Sequence, residues 1–236
     1  MYINSDRLTY VELSLIHLSD WTSRVNFDYE YVVMKSDINA LRGYSLEFSI
    51  LKVRDKDSLK RIMRIIRSSD AIIDVVGFRE LNYGYPKRIA IVLKNSLNDS
   101  TRYKAWQLSG FETKDHIVNG IENWGFIFMN KDSIETFRRQ LEDSGRVLSF
   151  RVRDIDLNDA FNLVNSRSIH ALLTKNELKV LKAAHKGGFF DEPRGINLIN
   201  LSKALNLSPS TVNHELRNAL RKLLSQYLGL NQYPYE

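Results

Sequence analysis

Ser210, Thr211, Asn213, His214 and Arg217 crowd into eight residues directly behind a Ser208-Pro209 pair. Their chemistry is hydrogen bonding to flat, polar edges. An Asn amide pairs bidentately with adenine, an Arg guanidinium with guanine, and Ser or Thr hydroxyls with several base edges. Ser208 and Pro209 supply an N-cap and a proline at the first helical position, and the free N–H groups of such a start favour a phosphate. Ser208 is therefore a candidate phosphate contact, with Arg194, Lys203, Arg221 and Lys222 as candidate cations. Contacts of that kind give affinity but little sequence preference.

The elements that must position these residues are legible around them. Val212, Leu216, Leu220 and Leu223 make an apolar stripe, which leaves the five polar residues on the outer face of one helix. Upstream, Asn197 can cap a short helix with Leu198, Leu201 and Leu205 turned inward, and Asn206-Leu207-Ser208 makes a tight turn. Before that, Thr174-Lys175-Asn176-Glu177 is a capping box, with Leu178, Leu181 and His185 at helical spacing and Gly187-Gly188 as the stop. The aromatic turn Phe189-Phe190-Asp191-Glu192-Pro193-Arg194 follows. Two helices joined by about three residues, the second strongly capped and basic, describe a helix-turn-helix whose second helix enters the major groove of double-stranded DNA. Helical trios of this size also serve as protein-binding modules. The alternative is thus an adaptor that touches the transcription machinery.

Charge follows the same division. The chain of 236 residues carries a net +6, of which residues 166–236 hold +5 and residues 1–165 only +1. A basic module beside a neutral one points to a polyanion. Cysteine is absent, which excludes disulfides, Cys-ligated metal and cysteine nucleophiles. The first residues lack the pattern of a signal peptide, and no apolar run approaches the ~20 residues of a membrane span. The expectation is a soluble, cytoplasmic protein with no membrane partner.

Residues 1–155 read as strands and two helices. Residues 10–17, 46–53, 71–81 and 88–93 carry strand signals, and Asn82-Tyr83-Gly84-Tyr85-Pro86 reads as a hairpin turn. Leu59, Ile62, Met63 and Ile66 mark one helix; Ile134, Phe137 and Leu141 mark another. Both open on the same pattern, Lys56-Asp57-Ser58-Leu59 and Lys131-Asp132-Ser133-Ile134, 75 residues apart, each between two apolar strands. Asp at each helix start is expected to cap it, and Glu135 to complete a capping box in the second copy. The expected fold class is α+β, a ferredoxin-like or ACT-like α/β sandwich region, with the shared Lys-Asp-Ser being either the trace of a duplication or a common helix entry.

Catalytic signals are missing from this half. There is no Gly-rich phosphate loop and no nucleophile elbow, and the five His residues are scattered. Asp115-His116 is a weak metal pair, and His17 stands alone. Trp106, Phe111, Trp124, Phe126 and Phe128 read as core rather than as a pocket lining, because Phe126 and Phe128 share one face of a strand. No enzyme, metal or cofactor is expected.

The order of signals from Leu173 to Leu224 resembles the helix-turn-helix domain of the bacterio-opsin activator family of archaeal regulators. The resemblance runs through Leu173-Thr174, Ala183-Ala184, Gly188-Phe189-Phe190, Pro193-Arg194, Leu201-Ser202-Lys203-Ala204-Leu205 and Leu207-Ser208-Pro209-Ser210-Thr211. Leu216-Arg217 and Lys222-Leu223-Leu224 continue it. It implies sequence-specific DNA binding and transcriptional control. This chain has Ile199-Asn200 where the family often carries an acidic residue, and Asn213-His214 where Ser-Glu is commoner. The family's target sequence therefore does not carry over.

Between the halves, Leu157, Phe161 and Val164 make a linker helix of residues 156–172 amphipathic. The expected organisation is a sensor or dimerisation region over 1–155, this linker helix, a helix-turn-helix domain over 173–228 and a tail over 229–236. A homodimer paired along the linker helix would read a palindrome, and a small-molecule effector is a possible partner of the first region.

Overall fold

In chain order the elements are β1 (Leu8–His17), a 3-10 turn (Trp21–Arg24), β2 (Tyr29–Asn39), β3 (Tyr44–Val53), α1 (Lys56–Arg67), β4 (Ile72–Glu80) and β5 (Lys87–Ser96). Then come α2 (Thr101–Gln107), β6 (Gly110–Val118), β7 (Ile121–Phe128), α3 (Asp132–Ser144) and β8 (Gly145–Ile155). Among the described residues four helices follow: α4 (Leu157–Leu172), α5 (Lys175–Lys186), α6 (Leu198–Leu205) and α7 (Pro209–Tyr227). The computed structural model describes residues 8–228, leaving aside the side chains of residues 166–171 and 226. The expected tail, Gly229 to Glu236, and the first seven residues lie outside the described residues. Two compact units divide between Arg167 and Ser168.

Alternation builds the sheet of the first unit. Val11, Leu13 and Leu15 of β1, Leu51 and Val53 of β3, and Ile89, Ile91 and Leu93 of β5 all turn to one face, where α1 and α3 lie. Eight strands run in the order β4-β5-β3-β2-β6-β7-β1-β8, and every neighbouring pair is antiparallel. Read inward from its two ends, the sheet shows the same arrangement twice. β3-α1-β4 admits β5 between its strands, and β7-α3-β8 admits β1. The two Lys-Asp-Ser segments begin the two equivalent helices. The 75-residue offset pairs Leu51 with Phe126, Val53 with Phe128, Ile62 with Phe137 and Ile66 with Leu141, and all eight are buried. The halves meet where β2 pairs β6, with Tyr31 opposite Ile117.

This is one continuous ladder rather than a free-standing four-stranded sandwich, and its elements cross between halves. The turn after β1 sends Trp21 into the first-half core, while α2, after β5, sends Ala105 into the second. Both caps differ from expectation. α1 is capped by Asp55, whose Oδ1 accepts from Ser58 N at 2.8 Å, so Asp57 lies inside the first turn. α3 has Lys131 at its N-cap with no side-chain cap bond, so Asp132 and Glu135 form no capping box. Asn130 instead accepts from Asp132 N at 2.9 Å.

The aromatics sort differently as well. Trp124, Phe126 and Phe128 are buried, and Phe126 meets Phe137 edge-on at 5.3 Å. Removing Phe137 would cost about 3–5 kcal/mol. Trp106 and Phe111 are about half exposed and are not core; Trp106 stacks on Tyr103 at the surface. Asp115 and His116 form no metal pair. Being successive strand residues they face opposite ways, Asp115 to Arg102 Nη2 at 2.6 Å and His116 to Glu30 at 2.9 Å. α4 lays Ala160 and Leu163 on Tyr10, Ile127 and Ile155, which form the other face of the sheet. No helix among the described residues is long and apolar enough to cross a membrane.

Candidate nucleic-acid interface

The C-terminal unit is built on three caps. Thr174 and Glu177 complete the expected capping box of α5: Thr174 N donates to Glu177 Oε2 at 2.7 Å, and Glu177 N to Thr174 Oγ1 at 3.1 Å. Asn197 Oδ1 accepts from Asn200 N at 2.9 Å and starts α6. Ser208 Oγ accepts from Thr211 N at 3.1 Å and starts α7, with Pro209 at its first position. Each cap satisfies a donor that a helix leaves open. Between α6 and α7, Asn206 takes the left-handed conformation at φ 55°, and Leu207 N donates back to Ser202 O at 3.0 Å. That reversal sets the angle between the two helices.

Val180, Ala184, Leu201, Val212 and Leu216 form the core of this unit. Two expected stripes are shifted by it. In α5 the fully buried apolar residues are Val180 and Ala184, the expected Leu181 packs partly against the same core, and His185 is exposed. In α7 the stripe passes from Leu216 to Ala219, which is fully buried, so Leu220 is exposed. The small side chain lets the helix approach more closely there than a leucine would. The aromatic turn closes on glycines: Gly188 sits at φ +70°, and a Cβ on Gly195 would meet the Gly187 carbonyl at 2.7 Å.

With Val212, Leu216 and Ala219 locked, Ser210, Thr211, Asn213, His214 and Arg217 are all exposed on the first turns of α7. They stand together as the sequence reading had them. His214 Nε2 lies 2.8 Å from Asn218 Nδ2, one turn on, which holds its ring against the helix. Ser208 shares its hydroxyl with Ser210 and Thr211, both at 2.8 Å. Arg194, Lys203 and Arg221 are exposed, and the Arg194 guanidinium lies over the Phe189 ring at 5.2 Å.

Lys222 is placed differently. Its ammonium donates to both oxygens of Glu177 at 2.7 Å, and its side chain is 16% exposed. Burial alone would raise the Glu177 carboxyl, but the Lys222 and Thr174 hydrogen bonds hold it below its ordinary value. Sequence reasoning missed this pair because its members lie 45 residues apart.

Residues 173–225 match the family model described as an HTH DNA binding domain. A Haloferax volcanii protein named "Putative transcriptional regulator" is 34% identical over 83 residues, 35% of this chain and 14% of that protein. The chain thus spans a small part of that relative's length. Three capped helices, an exposed polar stripe and this match converge on residues 173–225 as a helix-turn-helix DNA-binding domain.

Proposed function

We propose that the chain is a sequence-specific transcriptional regulator that inserts α7 into the major groove of double-stranded DNA. Ser210, Thr211, Asn213, His214 and Arg217 read base edges, and Arg194, Lys203, Arg221 and the Ser208-capped start of α7 hold phosphates. Lys222 drops out of the phosphate set because Glu177 occupies its ammonium. The observation that carries this reading is the set of five exposed polar side chains on a helix start whose opposite face is locked in a core. Each good bidentate base contact is worth about 1–3 kcal/mol of discrimination.

The N-terminal unit, read as two ferredoxin-like halves, serves dimerisation or effector sensing. The exposed stripe of Leu157, Phe161 and Val164 on α4 supports pairing with a second copy. Selection of bound fragments from sheared genomic DNA tests the whole reading. A shared motif with two half-sites is expected. No enrichment at low salt would overturn it, and a nuclease-resistant protein partner of the transcription machinery in its place would make the chain an adaptor.

A further inference from the structure

Where the two halves of the N-terminal sheet meet, they enclose a cavity of about 60 Å³ that DNA reading leaves unused. Glu47 of β3 and Glu122 of β7 both line it, and they occupy matching places, nine residues before each Lys-Asp-Ser. Their partners do not match. Glu47 receives a guanidinium, from Arg102, the second residue of α2. At the corresponding second place of the turn after β1 stands Thr22, whose hydroxyl donates to Glu122 Oε1 at 2.8 Å. Trp124 Nε1 donates to the other oxygen at 3.0 Å. Neither donor carries a charge.

Asp20 deepens the imbalance. It caps the same turn, accepting from Thr22 N at 3.2 Å, and lines the same cavity. Arg102 cannot serve this end, being shared already by Glu47, Glu112 and Asp115. His17 Nε2 is turned to the Asp99 carbonyl at 3.0 Å, and the favourable influence of His17 on the Glu122 carboxylate is outweighed by that group's burial. Buried carboxylates with too little counter-charge are unfavourable and tend to take up a proton instead. Asp20 is only half-buried, but desolvation in the cavity, with Glu122 alongside, pushes its carboxyl up to about 8.

A second observation is independent of charge. Thr101 lines the cavity at 3% exposure, and its Oγ1 has no hydrogen-bond partner. Buried hydroxyls normally have one. Trp21, Tyr31 and Trp124 also line the cavity, and the Trp124 ring already holds one cation, the Arg102 guanidinium, at 5.4 Å. Among the described residues no group of three His, Cys, Asp or Glu is arranged to hold a metal.

We propose that this cavity binds the ammonium head of a small primary amine, through Glu122, Asp20 and the Thr101 hydroxyl. An ammonium has three N–H donors, one for each of these acceptors. The volume is less than half of the ~150 Å³ that admits benzene, so it takes the head group while the chain leaves past the exposed Ser19 and Asn98. This gives the effector of the regulator reading a chemical class, and it rests on that reading only for its consequence.

Tryptophan fluorescence of the full chain carrying Trp106→Phe, without DNA, tests it, since Trp21 and Trp124 then report the cavity. 1,4-Diaminobutane should give a saturable change at one equivalent, and 1,4-butanediol none. Glu122→Gln, a near-isosteric change, should weaken the diamine at least tenfold, as should Thr101→Val. No saturable response, an equal response to the diol or to magnesium chloride, or unchanged affinity in Glu122→Gln would overturn the proposal. A gel shift on the same protein reads DNA binding separately, so either failure is recognised for what it is.

Discussion

Lys222 of α7 and Glu177 of α5 clasp the C-terminal unit from within: one ammonium, two carboxylate oxygens, both at 2.7 Å. The same carboxylate closes the capping box with Thr174. One glutamate therefore fixes both the start of the first helix and the far half of the DNA-facing one. Removing one partner of such a buried pair strands the other, which costs about 3–5 kcal/mol. Lys222→Ala should destabilise the C-terminal unit by that order and lower its melting temperature. It should leave the salt slope of DNA binding unchanged at temperatures where the unit is folded. Because Glu177 is held below its ordinary value, its contribution is complete above the unfolded value near 4.3 and is lost as pH falls below that. Acid should melt this unit in wild type and less so in Glu177→Gln, which can be followed by circular dichroism.

Arg217 and Arg221 lie one turn apart on α7, yet their variants should differ in kind. Arg217 stands in the exposed group over the helix start, and Arg221 lies beyond it. Arg217→Ala should cost about 1–3 kcal/mol on the preferred site and relax the choice at one base position. Arg221→Ala should weaken all sequences alike and reduce the slope of log affinity against log salt by about 1. Anisotropy titrations at several salt concentrations, on preferred and scrambled duplexes, separate the two outcomes.

Asp20 makes an opposite pH prediction for the N-terminal unit. Burial and Glu122 raise its carboxyl to about 8, with Glu47 adding to the rise. Arg102 and His17 face the same cavity. A raised acid is protonated when folded and ionised when unfolded, so unfolding releases a proton between about pH 4 and about pH 8. Stability should fall as pH rises through that window and level off above it. Asp20→Asn should reduce the dependence, leaving the part that the likewise raised Glu122 contributes, and stabilise the unit by about 1–3 kcal/mol at pH 8. Urea melts at pH 5, 6.5 and 8 measure it; an equal loss with rising pH in the variant would dismiss the assignment.

Particular residues explain what the sequence makes legible. α1 and α3 are readable because Ile62, Ile66, Phe137 and Leu141 keep helical spacing and are apolar and fully buried. β6 is not, because two of its inward positions are Thr113 and Asp115, polar residues that the alternation rule would put outside. Asp115 stays inside because Arg102, from the preceding helix, folds back onto it. The exposed stripe of α7 follows from Val212 and Leu216 alone. The Ala219 contact and the Lys222 pair do not, since both depend on what α5 presents across the unit. The cavity partners Asp20, Thr101 and Glu122 come from three distant segments and leave no local signal.

The last prediction concerns α4. Ala160 and Leu163 face the unit's own sheet, so the stripe of Leu157, Phe161 and Val164 is turned outward, with Leu157 and Phe161 about two-thirds exposed. A helix with apolar residues on both faces, one of them uncovered, has a reason to pair. If two copies pair there, Phe161→Ser removes its largest contact without touching the face on the sheet. The variant should keep the thermal stability of the N-terminal unit within about 0.5 kcal/mol, as surface changes do. Sedimentation should shift from dimer to monomer. Half-site binding should persist while affinity for a palindrome falls at least tenfold, because two linked readers become one. A wild-type chain that sediments as a monomer, with and without a palindromic duplex, would rule this pairing out.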